Sequence, residues 1–280
     1  MPLIVHHPSP PLTAYIHSIY YLDGPRPYPH EKILPAAWLD LKFNLGSTIQ
    51  AFEADQTEPF MACTESWSVG LWSVYHIVDW PLDTRFFGVS FKPGGAYPFL
   101  QIPLSELHNR VVSLDAIWGH FAAEIRERLY AAPTIQEGLA LLERLLLSHL
   151  REAPPGLNVV QYALGEVARH HGALSIQALS DHIGISQNHL GTHFKRLVGG
   201  TPKETARLYR FQHTLDRLDP ARPVDWTWVA HKSLYYDQSH FNKDFVTFTG
   251  HSPSDYLRLR RLILADNRQH SVHLRELPTG

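Results

Sequence analysis

Ser186-Gln-Asn-His-Leu-Gly-Thr-His-Phe194 and Asp237-Gln-Ser-His-Phe-Asn-Lys-Asp-Phe245 read as two copies of one element, 51 residues apart. At that offset Gln187 matches Gln238, His189 matches His240, Gly199 matches Gly250, Pro202 matches Pro253 and Arg207 matches Arg258. Ser186 and Asp237 are helix-capping residues, whose side-chain oxygens accept from backbone N–H groups in the first turn. Leu190 and Phe194 in one copy, Phe241 and Phe245 in the other, lie four apart and share a helix face. A short helix precedes each copy, capped by Ser175 and running to His182 in the first, from Asp225 to Lys232 in the second. Short helix, tight turn, then a helix with a polar outer face is the helix-turn-helix pattern, whose second helix enters the DNA major groove. The competing reading is a duplicated hairpin used only for packing, as in a solenoid, but two copies are few for that architecture.

Thr201-Pro202 places a cap before a proline at the first helical position and starts a connecting helix that runs to about Leu218. From Pro202 to Asp219 is 18 residues, or about 27 Å at 1.5 Å per residue. With the packing at its ends, such a strut could hold two recognition helices one DNA turn apart, about 34 Å.

The charge distribution agrees. The chain has 280 residues and a net charge of -2. Residues 1–157 carry 10 Lys and Arg against 16 Asp and Glu, while residues 158–262 carry 13 against 9. An acidic front half is joined to a basic back half, which suggests that the back half meets a polyanion.

The joint is Arg151-Glu-Ala-Pro-Pro-Gly-Leu157, where Pro-Pro-Gly stops a helix. Before it, Tyr15 to Leu22, Trp38 to Leu45, Trp67 to Trp80 and Arg85 to Phe91 are aromatic and β-branched, with Pro and Gly between them. Several short strands so punctuated predict a sandwich or small barrel. From Ser113 the apolar period becomes helical through Leu114, Ile117, Trp118, Phe121, Ile125 and Leu129. Thr134 to Glu137 is a capping-box pattern opening a second helix, with Leu139, Leu142 and Leu146 on one face. These helices, 113–131 and 134–150, could pack on the barrel or on a second subunit.

The predicted architecture is therefore α+β in two domains: an N-terminal β-barrel or sandwich with two helices, and an all-α double helix-turn-helix. The domains are 1–152, a linker 153–157, the helical domain 158–262, and a tail 263–280. With 44% hydrophobic residues the chain can form real cores. One cysteine, Cys63, excludes an intramolecular disulfide framework. No apolar run is long enough to span a membrane, and the N-terminus lacks a signal-peptide pattern, so the cytoplasm is the expected compartment.

Val229-Ala230 through Tyr235-Tyr236-Asp237-Gln-Ser-His-Phe241, followed by Phe245, Gly250 and Ser252-Pro253 to Tyr256-Leu257-Arg258, resembles the AraC/XylS DNA-binding domain. The resemblance covers about residues 158–262. The front half is more weakly similar to the family's β-rich N-terminal domains, in Gly88 to Gly95 and Leu107 to Trp118. The resemblance implies a transcription regulator, by family habit an activator, whose N-terminal domain senses a small molecule, dimerises, or does both. Its implied partners are double-stranded DNA, an unidentified effector, a second copy of the chain and RNA polymerase. Two departures stand out. Leu234 occupies a turn position where members usually have glycine, and a positive φ would strain it. Gly191 and Thr192 stand where members often carry longer polar residues, which leaves the first helix short of base-reading side chains.

The positions facing away from the apolar stripes are Gln187, Asn188, Gly191, Thr192 and Lys195 in the first copy, and Gln238, Ser239, Asn242 and Lys243 in the second. Gln and Asn can pair with adenine, and Lys can reach guanine O6 or N7. Lys195, Arg196, Lys203 and Arg207 suit phosphates, which position without specifying. In the front half Trp38, Phe43, Trp67, Trp72, Phe86 and Phe87 are candidate lining of an effector pocket or, alternatively, closed core.

Nineteen histidines invite a metal reading. His189 and His193 have a zinc-compatible spacing but no intervening glutamate of an HExxH motif. His6, His7, His17, His30 and His76 match no defensible metal spacing, and no cofactor or metal is expected. A cupin-like, metal-dependent enzyme with an accessory DNA-binding domain is the competing function. No nucleophile elbow, phosphate loop or dinucleotide fingerprint supports it, and a lone Cys63 is more often inert.

Overall fold

The computed structural model describes residues 3–26, 28–54, 56–265 and 276–278. In chain order the strands are β1 (Leu3–His6), β2 (Ile16–Asp23), β3 (His30–Ile33), β4 (Asp40–Asn44), β5 (Ile49–Phe52), β6 (Met61–Cys63), β7 (Ser66–Val69), β8 (His76–Asp79), β9 (Arg85–Phe91), β10 (Val111–Ser113) and β11 (Glu276–Pro278). They form two antiparallel sheets, β1-β2-β9-β4-β7-β10 and β11-β3-β8-β5-β6.

Side chains alternate across the first sheet because successive residues of a strand point to opposite faces. Leu22, Trp67 and Phe86 from the first sheet meet Ile49, Cys63 and Val78 from the second in one buried cluster. The two sheets therefore face each other as a sandwich. On the other face, Leu41, Phe43, Phe87 and Val89 pack against helices. The expected single stretch Trp67 to Trp80 is two strands in different sheets, separated by residues 70–75 with a bend at Ser73 and Val74.

The helices of the front half are α1 (Tyr97–Leu100), α2 (Asp115–Trp118), α3 (His120–Tyr130) and α4 (Ile135–His149). The helix expected over 113–131 is broken at Gly119 (φ +58), which ends α2 and precedes α3. Thr134 caps α4 by accepting from Glu137 N. Leu139, Leu142 and Leu146 are 4, 0 and 0% exposed. The α4 stripe is thus spent within one chain and is not a free subunit face. Gly138 permits that approach: a Cβ there would stand 2.5 Å from the Phe87 ring.

The back half contains α5 (Leu157–Arg169), α6 (Ile176–Ile183), α7 (Gln187–Leu197), α8 (Pro202–Asp216), α9 (Trp226–Lys232), α10 (Gln238–Thr249) and α11 (Pro253–Ala265). The connecting helix α8 ends two residues short of the expected Leu218. Its 15 residues span about 22 Å. Thr201 and Glu204 close a full capping box at its start. One hydrophobic cluster runs from the helical layer of the front half through α5, α7 and α8 into α10. Of the expected tail, 263–265 complete α11 and 276–278 form β11 beside β3; the remainder lies outside the described residues.

Candidate nucleic-acid interface

Each helix-turn-helix is built by the same local chemistry. Ser175 and Ser186 accept from Ala178 N and His189 N at 3.2 Å, capping α6 and α7. Asp225 and Asp237 do the same for α9 and α10, at 2.9 Å to Thr227 N and 2.7 Å to His240 N. The turns close alike: Ile185 N donates to Ser180 O, and Tyr235 N to Ala230 O. Gly184 (φ +82) and Leu234 (φ +62) occupy the equivalent left-handed position. Leu234 therefore keeps the glycine conformation instead of reshaping the turn. The second turn is one residue longer, and the extra residue is Tyr236, 93% exposed. That insertion is why the turns match at an offset of 50 and the recognition helices at 51.

Leu190, Phe194, Phe241 and Phe245 are all fully buried. The opposite faces of α7 and α10 carry the expected polar residues. Gln187, Asn188, Thr192, Lys195, Gln238, Ser239 and Lys243 are exposed, and Asn242 is half-buried. Gln187 Nε2 donates to Gln177, and Thr227 Oγ1 donates to Gln238 Oε1 at 3.1 Å, so each leading glutamine is steadied by the preceding helix. Gly191 leaves a gap in the middle of α7 with nothing near its Cβ direction.

Two expected phosphate contacts are otherwise engaged. Arg196 lies with its guanidinium 4.9 Å from the Tyr97 ring centroid and donates to Tyr97 Oη at 2.6 and 3.2 Å. Arg207 is ion-paired to Asp244. His189 and His193 stack at 4.5 Å, and the His193 ring fills the space beside Gly156. Burial, with His189 and Arg196 nearby, holds the His193 pKa below the usual imidazole value. No group of three or more His, Cys, Asp or Glu able to hold a metal occurs among the described residues.

Residues 179–259 match the family model described as a helix-turn-helix domain, and residues 4–113 match a domain of unknown function (DUF6597). Residues 179–259 are thus a helix-turn-helix domain. No curated relative matches the chain. Among solved structures, an apo ToxT variant from Vibrio cholerae is similar at 10% identity and TM-score 0.44, over 86% of this chain and 96% of that one. Unsaturated fatty acid-bound ToxT from Vibrio cholerae is similar at 9% and 0.42, over 91% and 94%. The AraC-like transcriptional activator CuxR is similar at 14% and 0.25, over 75% and 86%. Likenesses this distant carry no argument about what the chain binds.

The candidate effector residues divide between two layers of the front half. Trp67 and Phe86 lie between the sheets. Phe43 and Phe87 point into the helical layer instead: Phe43 stacks on Trp118 at 6.4 Å, and Phe87 lies tilted against Tyr21 of the neighbouring strand at 4.8 Å. Trp38 is half-buried. Trp72 packs against His76 at 4.3 Å. Sequence reasoning missed the polar groups between the sheets. Tyr20 Oη donates to Asp40 Oδ2 at 3.1 Å across Gly88, where a Cβ would strike the Tyr20 ring. Lys42 Nζ lies 3.4 Å from the same oxygen. Asp40 Oδ1, His76 Nδ1, Trp72 Nε1 and Trp80 Nε1 are buried without a hydrogen-bond partner among the described residues. Burial, with Lys42 adding to it, pushes the His76 pKa down to about 3. Burial likewise pushes the Cys63 thiol up to about 12, so little thiolate forms near neutrality. The strict period-2 alternation of Tyr20-Leu22 and Asp40-Lys42 was the available signal.

Two open grooves, of about 330 and 270 Å³, lie over α5 and α6. Tyr162 and His182 border both. No helix of the described residues is long and apolar enough to cross a membrane.

Proposed function

We propose that one chain reads two successive major-groove segments of duplex DNA, α7 entering the first and α10 the second. The carrying observation is the repeat itself: two capped recognition helices with buried apolar stripes and exposed polar faces, both packed on α8. Gln238, Ser239, Asn242 and Lys243 supply more of the base reading, because α7 has Gly191 and Thr192 at its centre. Lys195 positions α7 on a phosphate. Each good side-chain–base pair contributes about 1–3 kcal/mol of discrimination. Selection from a random duplex pool tests this: Gln238→Ala with Lys243→Ala should relax preference at one half-site only. An unaltered preference would remove α10 from base reading.

A second reading concerns the front domain, and the orphaned polar atoms between its sheets favour it. Buried polar groups without partners cost free energy and are rare, so Asp40, His76 and Trp80 suit a small polar effector. Such an effector would shift the chain between DNA-competent and incompetent states. Thermal shifts over a metabolite panel, repeated on Asp40→Ala, test it; an equal shift in both would exclude this pocket. The same reading makes the protein a cytoplasmic activator that meets RNA polymerase. A homodimer would need a face other than the α4 stripe, and sedimentation reads that state directly.

A further inference from the structure

The two repeats end in equivalent turns, Gly199-Gly200 after α7 and Gly250-His251 after α10. Both turns are pressed against the front domain. A Cβ on Gly199 would stand 3.0 Å from the Leu104 carbonyl oxygen, and one on Gly200 3.5 Å from Leu71. A Cβ on Gly250 would stand 2.7 Å from the Tyr75 ring. Both Gly199 (φ +103) and Gly250 (φ +71) are left-handed, so glycine serves conformation and close approach together. Polar contacts flank each turn. Arg196 reaches Tyr97 beside the first, at 2.6 Å. Lys32 Nζ donates to His251 Nε2 at 2.9 Å beside the second, with its ammonium 4.8 Å over Tyr75.

We infer that the front domain is a splint: it grips the same turn in each repeat and so fixes the separation and phase of the two recognition helices. This rests on the proposed two-helix DNA reading. The covalent connection alone is a loose ruler, because residues 217–225 between α8 and α9 form neither helix nor strand. Noncovalent packing must supply the remaining precision. The packing of α10 on α8 supplies part. The splint supplies the rest from outside the helical domain, through Tyr75, Tyr97, Leu71 and Leu104 as positioning residues. All four belong to the front half, and none lies on α7 or α10. Their effect falls on the spacing between half-sites, not on base identity within either.

The test uses the full chain with Cys63→Ala and spin labels at Thr192→Cys on α7 and Thr247→Cys on α10, both exposed. The label-to-label distance distribution is measured with and without Tyr75→Ala plus Tyr97→Phe. In parallel, the chain without labels is challenged with duplexes whose half-sites are moved apart or together one base pair at a time. The splint predicts one narrow distance that broadens in the variant. It predicts that preference for the best spacing falls by roughly two- to tenfold, the range set by losing one ordinary contact, with base preference inside each half-site kept. An unchanged distance distribution overturns the splint. A broadened distribution with unchanged spacing preference overturns its role in DNA reading. If the parent chain selects no sequence, the DNA reading fails and the distance result still decides the splint.

Discussion

Arg207 on the connecting helix α8 donates to both carboxylate oxygens of Asp244 on the second recognition helix α10, at 2.7 Å to Oδ1 and 3.4 Å to Oδ2. The two ends of this pair differ in exposure. The Asp244 side chain is 3% exposed and that of Arg207 35%. His240 Nε2 lies 3.9 Å from Asp244 Oδ2. The pair, with Phe211 against Phe245 and Phe248, sets how α10 sits on α8.

The unequal burial gives an unequal cost. Arg207→Ala strands a buried carboxylate, which costs about 3 kcal/mol. Asp244→Ala leaves a guanidinium that water can reach, and costs about 1 kcal/mol. Urea unfolding of the two variants measures the order. A larger loss for Asp244→Ala would contradict it.

Leu234 holds a left-handed conformation at φ +62 with its side chain half in solvent. That conformation costs a non-glycine residue about 1–2 kcal/mol, against a flexibility cost of about 0.5–1 kcal/mol for glycine. Leu234→Gly should therefore stabilise the protein by about 0.5 kcal/mol, a rise of about 1–2 °C in melting temperature. A fall in melting temperature would show that the Leu234 side chain contributes contacts larger than the strain.

His76 makes stability depend on pH. Its folded pKa is about 3, against about 6.5 in an unfolded chain. The folded form stays neutral while the unfolded form gains a proton below about pH 6.5. This contribution is complete above that pH and is lost as pH falls toward 3, at about 1.4 kcal/mol per unit. His76→Phe keeps the ring packing on Trp72 and removes the titration. Chemical denaturation between pH 6 and 4 should show a shallower loss in the variant, and equal slopes would sink the assignment.

Lys195 lies on the exposed face of α7 and is assigned to a phosphate. Lys195→Ala should weaken binding to all sequences alike and reduce the salt slope by about 1. Arg196→Ala should leave the salt slope unchanged, because its guanidinium sits on Tyr97. Salt titration of both variants checks the pair, and a flattened slope for Arg196→Ala would place that residue on DNA.

The helical half was legible because its signals are local. Caps at Ser175, Ser186, Asp225 and Asp237, and the four-residue spacing of Phe241 and Phe245, fix helices without knowledge of the rest of the chain. The front half was legible as β-rich but not as a particular pairing. Short strands such as β3, β5 and β6 have three or four residues, too few for a period to stand out. The α4 stripe shows a further boundary. Periodicity announces that Leu139, Leu142 and Leu146 must be buried, but not whether their own sheet or a second chain buries them. Arg196 shows the same limit: sequence marks a basic residue on a recognition helix, while only the fold brings Tyr97, 99 residues away, beneath it. Leu234 was flagged by its departure from glycine, and the structure resolves it as a kept turn bearing an extra residue.

The central claim is that α7 and α10 of one chain read DNA together. Selection of binding sites from a random duplex pool by the purified full chain, followed by footprinting of the winner, tests it most directly. The account predicts two short conserved blocks whose centres lie about one helical turn, 10–10.5 base pairs, apart, the block lost with Gln238→Ala and Lys243→Ala being the better defined. A winner with one block only, or a pool that acquires no common sequence, would contradict it.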